Sequence, residues 1–188
     1  MIQISLKEWA IICDLLVSGQ QALLVRKGGI EEAAGPGRFR LQSPRFALFP
    51  AWLHQAAERI KPAWREQVER FDHEPATVTI VGFGVVDHVW QAPSRESLDA
   101  VDDLHGWTRE HLDMRWQYKP SQPLYVMAVR AYRLAAPRTV ANNPRYAGCK
   151  SWVDLDPGDA IDAAGATPAL TDDEFAAVVA RLSAALGG

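Results

Sequence analysis

Apolar residues in this chain cluster in blocks that predict strands through its middle. The longest block, 77–90, is dense in Val, Ile and Phe and predicts one long strand. Gly82 and Gly84 lie two residues apart in it, so both face one side of the strand and indicate a bend or a close backbone contact. The other predicted strands are 21–27, 39–41, 45–49, 124–134 and 151–155.

Helices are predicted where apolar residues recur at helical spacing behind a capping residue. Ser5 and Glu8 have the spacing of a capping box in front of such a pattern, so we expect a helix that begins at Ser5. Thr171 and Glu174 repeat this spacing and predict a C-terminal helix. Its apolar stripe is Phe175, Val178, Val179, Leu182 and Leu186. Further helices are predicted at 52–60, 64–71, 94–104 and 108–116.

Helices and strands do not alternate regularly, and the length of 188 residues fits one ordinary domain with an appendage. This order favours an α+β fold, either a mixed sheet or a small β-barrel with flanking helices, over a doubly wound parallel sheet. The predicted core domain is 1–155. Residues 156–170, rich in Asp, Gly, Ala and Pro, are predicted to be an acidic linker to the C-terminal helix in 171–188.

Charge is distributed unevenly along the chain. The whole chain has a net charge of −3, yet residues 1–150 hold 19 Lys or Arg and 16 Asp or Glu. Residues 151–188 hold seven acidic residues and one basic residue. A basic body permits an anionic partner, and an acidic tail acts as a solubilising or self-masking element. A solvated surface with an acidic tail is the competing interpretation.

The cysteines and the N-terminus indicate a cytoplasmic protein. Cys13 and Cys149 are far apart and have no partner spacing, which is typical of reduced thiols. The apolar core of a secretory signal is interrupted by Lys7, Glu8 and Asp14. Because no apolar run approaches the length of a membrane span, we expect no membrane partner.

Missing motifs argue against several kinds of chemistry. A dinucleotide-binding fingerprint needs a third small residue where this chain has Asp87, and the strand pattern continues there. The Walker loop and the Gly-x-Ser-x-Gly elbow are absent. The five histidines lack the spacings of a zinc site. We therefore expect no cofactor and no bound metal.

Two kinds of catalytic site stay open. A Cys–His nucleophile pair meets only in the folded chain, and Cys149, beside Gly148 and Lys150, is the better placed thiol. A structural cysteine is the competing interpretation. A restriction-type nuclease needs an acidic residue two positions before a lysine, and no lysine here has one. Only a rearranged nuclease site therefore survives, as an alternative function.

Two segments indicate ligand binding. Arg26 and Lys27 stand at a predicted strand end before two glycines, where cations and free amides can hold a phosphate or carboxylate. Trp52, His54 and Gln55 follow another predicted strand and offer a flat ring and hydrogen-bonding groups. A solvated turn and core packing are the competing interpretations of the two segments.

Five spaced motifs resemble a bacterial family catalogued as domain of unknown function 1802. The motifs are 6–10, 23–30, 46–50 with His54-Gln55, 119–126 and 146–152. The resemblance covers about 1–155, leaves the tail outside and implies no particular activity. This chain has Ala51-Trp52 where the family pattern has Thr-Tyr. The last motif contains Lys150, Ser151 and Trp152, which complete the candidate site.

The segments 80–86 and 125–137 are similar to the late strands of PUA-like barrels, especially their EVE and ASCH branches. Those folds bind RNA or modified bases in a cleft, so the resemblance implies a PUA-like barrel and the same possibility of binding here. No diagnostic site residue accompanies the strand pattern. A likeness of fold alone does not establish function.

Three functional hypotheses follow. The first is non-catalytic recognition of RNA, DNA or a nucleotide-like anion, with cations on phosphate and Trp52 or Trp152 stacked on a base. The candidate binding residues are Arg26, Lys27, Trp52, His54, Gln55, Lys150, Ser151 and Trp152. The second is an enzyme acting on nucleic acid through His54, Asp87 or Cys149. The third is an interaction module whose C-terminal helix docks on its own body or on a second copy, forming a homodimer.

Overall fold

Seven strands of one sheet form the centre of this computed structural model, which describes residues 1–27 and 41–187. The strands are β1 Ile4–Trp9, β2 Leu23–Arg26, β3 Arg45–Ala51, β4 Thr77–Gln91, β5 Tyr125–Ala141, β6 Trp152–Asp154 and β7 Thr167–Pro168. The helices are α1 Ala10–Val17, α2 Pro62–Arg65, α3 Arg109–Gln117 and α4 Asp172–Leu186, and 3-10 turns occur at Ala57–Arg59, Glu96–Leu104 and Pro157–Asp159. Most of the strand predicted at 39–41 lies outside the described residues.

The sheet is mixed and open. Its strand order is β2-β5-β4-β3-β1-β6, and β7 pairs with Tyr132 and Arg133 in the middle of β5. β1 runs parallel to β3, whereas the other paired strands are antiparallel. β2 and β6 stand at opposite ends and do not pair with each other within the described chain. The α+β fold with a mixed sheet, flanking helices and a C-terminal helix is therefore confirmed, and the sheet does not close into a barrel.

The long antiparallel pair of β4 and β5 packs closely against α1 and β3 at two glycines. A Cβ on Gly82 would lie 2.3 Å from Val17 Cγ1 of α1. A Cβ on Gly84 would lie 2.6 Å from Val129 Cγ1 and 3.1 Å from the Phe46 ring. The close contact predicted from the glycine spacing is confirmed, because a side chain at either position would overlap its neighbour.

The helix predicted to begin at Ser5 is wrong, because this segment is a central strand. Residues 5–9 pair with residues 47–51 of β3, and the Ser5 hydroxyl donates to the Val153 carbonyl at 2.9 Å. The backbone amides that a capping box would satisfy are bonded to neighbouring strands instead. The helix begins only at Ala10, so the helical pattern was correct for its second half alone.

The helices between β3 and β5 differ in length from those predicted. The segment 52–60 contains only a 3-10 turn, and 64–71 is helical only up to Arg65. The segment 94–104 is a 3-10 element interrupted at Val101. α3 agrees with its prediction, and the Thr108 hydroxyl accepts from the His111 amide at its N-terminus. β3 continues through Pro50 to Ala51, two residues past its predicted end.

The C-terminal helix docks on the body of its own chain. Its predicted capping box is present, with the Thr171 amide donating to Glu174 at 2.8 Å. Phe175, Leu182 and Leu186 from the apolar stripe are buried in the main core. Residues 156–170, predicted as a linker, also pack: Ile161 is fully buried and exchanges backbone hydrogen bonds with Ile2 at the other end of the chain.

Candidate nucleic-acid interface

A cleft of about 420 Å³ opens where the C-terminal ends of β1, β2 and β3 meet α3. The parallel pairing of β1 and β3 brings two of these ends to the same side of the sheet. The loop that precedes β6 closes the cleft with residues 148–151. Its volume is in the range of small-molecule sites, about 300–1,000 Å³.

The cleft is strongly basic in a chain that is acidic overall. Two Glu line it, together with seven cations: Lys7, Arg26, Lys27, Arg59, Arg115, Lys119 and Lys150. Lys7 pairs with Glu74 at 3.3 Å and Arg26 with Glu8 at 2.9 Å. The other five cations have no carboxylate partner among residues 1–27 and 41–187. The cleft therefore has a net formal charge of +5.

The cations deep in the cleft repel one another, and this repulsion adds to burial in lowering their pKa values. Lys27 is 5% exposed and donates to the Trp116 carbonyl, and its pKa is lowered by burial and then by the charge of Arg115. The pKa of Arg115 is lowered by burial and by Arg26, although its guanidinium donates to the Val25 carbonyl at 2.9 Å. Like charges held this close favour an anion that lies between them.

Aromatic rings form one wall of the cleft. Trp9 meets Trp107 edge to face at 4.9 Å, and His111 stacks on Trp107 at 4.4 Å. Burial, followed by the charges of Arg115 and Arg59, lowers the pKa of His111 to about 3. His111 is therefore neutral at physiological pH. Tyr118 stands at the rim with half of its surface exposed.

A thiol and an imidazole meet in the same cleft. The Cys149 Sγ lies 4.0 Å from His54 Nε2, and both side chains are exposed. His54 has a φ of 66°, a left-handed conformation that is uncommon for residues other than glycine. Gly148, just before Cys149, has a φ of 88°, where glycine is the favoured residue. Backbone turns therefore aim both side chains into the cleft.

Five of the eight residues predicted for the site line this cleft: Arg26, Lys27, His54, Lys150 and Ser151. The other three lie outside its lining. Trp52 packs against Phe71, and Trp152 packs edge-on against Phe46, each at 5.5 Å between ring centroids. Gln55 is buried and accepts from the Ile11 amide at 3.0 Å, so its side chain holds α1 in place.

Other lining residues were not among the predicted site residues. Arg59, Trp107 and Arg115 come from segments far apart in the chain, and only the fold brings them together. Tyr118 and Lys119 offered a signal, because an aromatic and a cation directly precede a proline-rich turn. Of the residues predicted for catalysis, His54 and Cys149 are in the cleft, whereas Asp87 is exposed on β4 beside His88.

Within 1–27 and 41–187, no group of three or more His, Cys, Asp or Glu side chains is arranged to hold a metal ion. Among the helices described, none has the length and apolar character needed to cross a bilayer.

Solved structures similar to this chain include those of the ASCH protein from Zymomonas mobilis. The unmodified protein has a TM-score of 0.46 at 11% identity, over 83% of this chain and 89% of that chain. A tyrosine-to-phenylalanine variant has a TM-score of 0.47 at 12% identity, over 83% and 91%. A serine-to-alanine variant has 0.43 at 11%, over 94% of both chains.

Sequence comparison gives a family and no curated relative. No curated protein matches this chain. The family model described as domain of unknown function (DUF1802) matches residues 5–181, which extends past the end at about 155 that the five motifs indicated. Most of the acidic tail is therefore part of the family's domain. Because the match spans most of its length, this chain belongs to the DUF1802 family.

Proposed function

We propose that the cleft binds a nucleic acid, or a nucleotide-like anion, without changing it chemically. The observation that carries this proposal is the meeting of five cations that lack a carboxylate partner in the described chain with three aromatic side chains. Phosphates need cations and bases need flat rings, and this cleft offers both within the volume of about one nucleotide.

The cations fall into two groups by accessibility. Lys27 and Arg115 lie deep and already donate to backbone carbonyls, so their role is to supply a positive field, whereas the charge of Arg26 is compensated by Glu8. Lys119 is exposed, and Lys150 is half-buried at the mouth. These two side chains are free to turn toward a phosphate, since Lys150 gives up only one hydrogen bond, to the Arg145 carbonyl.

Tyr118 is the ring best suited to stack on a base. It is 52% exposed, and the Lys119 ammonium lies 5.3 Å from its ring centroid. The ammonium lies over one face of the ring, and a base stacked on the other face would place its phosphate near that ammonium. Stacking of this kind contributes roughly 1–3 kcal/mol per base, with little dependence on sequence. His54 and Ser151 line the same cleft and supply hydrogen bonds.

Binding of labelled single-stranded RNA and DNA, followed by fluorescence anisotropy at several salt concentrations, tests the proposal. If about three phosphates contact the protein, log K falls with log salt with a slope of about −2. Lys119→Ala and Lys150→Ala each remove one contact, so each is expected to weaken binding roughly fivefold and to flatten the slope by about 0.7. Parallel RNA and DNA titrations identify the preferred polymer.

Arg70→Ala is the matched control, because Arg70 is exposed and does not line the cleft. Its affinity and salt slope are expected to equal those of the wild type. A mononucleotide titrated by calorimetry shows whether one unit is sufficient. The proposal fails if neither polymer nor mononucleotide binds at low salt, or if Arg70→Ala weakens binding as much as the two lysine variants.

A further inference from the structure

We propose that Cys149 and His54 act as a nucleophile and its base on the carbonyl carbon of an anionic acyl compound held in the cleft. The substrate class is an amide or ester that carries a negative charge. This inference rests on the proposed function in one respect, namely that the cleft attracts anions. It goes further because it assigns a reaction to two of the lining residues.

The two thiols of the chain differ in their surroundings. Cys149 is exposed in the cleft, and its Sγ lies 4.0 Å from His54 Nε2, which is the long end of a hydrogen bond to sulfur and longer than the separation of a fully engaged nucleophile and base. Cys13 is 2% exposed and its Sγ contacts the Glu8 carbonyl at 3.8 Å. Burial, and then the charge of Glu8, raise the pKa of Cys13 well above its ordinary value. Cys13 is therefore an inert internal reference.

The loop that presents Cys149 is held from both sides. The Lys7 ammonium donates to the carbonyls of Tyr146 and Gly148 at 2.8 and 3.0 Å. The Gly148 amide donates to Glu74 at 3.2 Å. A nucleophile is more effective when its position is fixed before the substrate arrives. Lys7 and Glu74 are thus positioning residues for the thiol.

The position of His54 is set by its backbone. A left-handed conformation is unfavourable for a residue other than glycine, and here it turns the imidazole toward the cleft. His54 makes no other hydrogen bond within the described ranges, so the pair is a dyad. The net positive charge of the cleft attracts an anionic substrate and stabilises the negative charge that develops on its carbonyl oxygen.

The reaction balances as a hydrolysis in two stages. The Cys149 proton moves to His54 Nε2, sulfur bonds to the carbonyl carbon, and the bond from that carbon to its leaving nitrogen or oxygen breaks. The leaving group takes the proton from the imidazolium, which leaves a thioester on Cys149. Water then attacks the thioester, one of its protons passes through His54 to the sulfur, and the free thiol returns. Neither an oxidant nor a reductant is needed.

Two nitrophenyl esters test the dyad in the full-length protein. One is the mono-4-nitrophenyl ester of terephthalic acid, which is anionic and whose carboxylate cannot reach its own ester, and the other is 4-nitrophenyl benzoate, which is neutral. The release of nitrophenolate gives the rate, and mass spectrometry of peptides locates the acyl group. We expect acylation at Cys149 and not at Cys13, with a preference for the anionic ester at least fivefold greater than that of N-acetylcysteine.

Variants distinguish the loss of the catalytic base from a general loss of structure. Cys149→Ser is expected to abolish acylation. His54→Asn is expected to slow it at least tenfold, and asparagine accepts the left-handed conformation, so the backbone turn is kept. His73→Asn is the control, because His73 is exposed and lies outside the cleft. Its rate is expected to equal that of the wild type.

The outcomes distinguish this inference from the proposed function. If Cys149 reacts no faster than N-acetylcysteine and His54→Asn has no effect, the proposed dyad is overturned. Nucleic-acid binding by the wild type is a separate measurement, and its result does not depend on the dyad. If acylation is fast but shows no preference for the anionic ester, the substrate class is wrong. Fast and selective acylation without any nucleic-acid binding supports the dyad and overturns the proposed function.

Discussion

The Lys7 ammonium lies 3.3 Å from a carboxylate oxygen of Glu74, and both side chains form hydrogen bonds with the backbone of Gly148. Lys7 donates to the Gly148 carbonyl, whereas Glu74 accepts from the Gly148 amide. Lys7 reaches this point from the central strand β1, and only 7% of its side chain is exposed. An ion pair at the base of the cleft thus joins the sheet to the loop that holds Cys149 and Lys150.

Lys7→Met is expected to destabilise the protein by about 2–4 kcal/mol, because it leaves the carboxylate of Glu74 partly buried without its cation. Urea unfolding followed by tryptophan fluorescence measures the change. Arg145→Gln is the matched control: it removes an ion pair with Asp156 in which the arginine is 69% exposed, and is expected to cost under about 1 kcal/mol. Equal effects of the two substitutions would contradict the structural role of Lys7.

Gly82→Ala is expected to destabilise the fold by about 1–3 kcal/mol through overpacking. The new Cβ would lie 2.6 Å from the Tyr132 carbonyl oxygen, and a backbone atom of the sheet cannot move aside. Gly158→Ala is the control, since nothing lies within 4 Å of a Cβ there. Thermal unfolding of both variants measures the difference. A Gly82 variant as stable as the Gly158 variant would show that the packing of β4 against α1 is looser than the structure indicates.

The two capping-box patterns show how far local sequence predicts this fold. Thr171 and Glu174 act as expected, because the helix that they begin keeps its backbone hydrogen bonds within itself and packs only one apolar face against the core. Ser5 and Glu8 have the same spacing, yet they belong to a strand whose partners are Ala47 and Val153. Pairing across the sheet overrides the local signal, and no local pattern reveals those distant partners.

The lining residues that the sequence predicted are those that directly follow a strand within a recognisable motif. Lys27 and His54 each follow a strand, and both line the cleft. The ring at its rim, Tyr118, was not predicted, because it follows α3 and only the fold brings the end of this helix beside the ends of the strands. Trp52 and Trp152 satisfied the pattern of an aromatic near cations, but they pack against phenylalanines instead.

Leu182→Ala in the C-terminal helix is expected to cost about 2–5 kcal/mol, because this side chain is fully buried against the body. Arg181→Ala is the neighbouring control. It removes a two-bond contact with Asp103 in which the side chains are 47% and 66% exposed, and is expected to cost under about 1 kcal/mol. Urea unfolding compares them. A small effect at Leu182 would indicate that the helix leaves the body before the core unfolds.

Acid is expected to destabilise the protein through His105, which is 1% exposed and has no hydrogen-bond partner for either ring nitrogen in the described chain. Burial, followed by the charge of Lys61, lowers its pKa to about 4, although Asp102 opposes the shift. Above pH 6.5 the ring is neutral in both states and adds no pH dependence. Between pH 6.5 and about 4 only the unfolded chain binds the proton, so the free energy of unfolding falls, by about 3 kcal/mol in all.

His105→Phe tests this assignment, because phenylalanine keeps a flat ring and cannot take up a proton. Urea unfolding from pH 7.5 to 4.5 is expected to give a flatter stability curve for this variant than for the wild type, whatever its stability at pH 7.5. His111 contributes in the same direction in both proteins, since its pKa is also lowered, to about 3. His73→Asn, at an exposed position, is expected to keep the wild-type slope. Identical slopes for His105→Phe and wild type would mean that the buried imidazole is not what couples stability to pH, and that the carboxylates with lowered pKa values, such as Asp103 beside Arg181, carry the dependence instead.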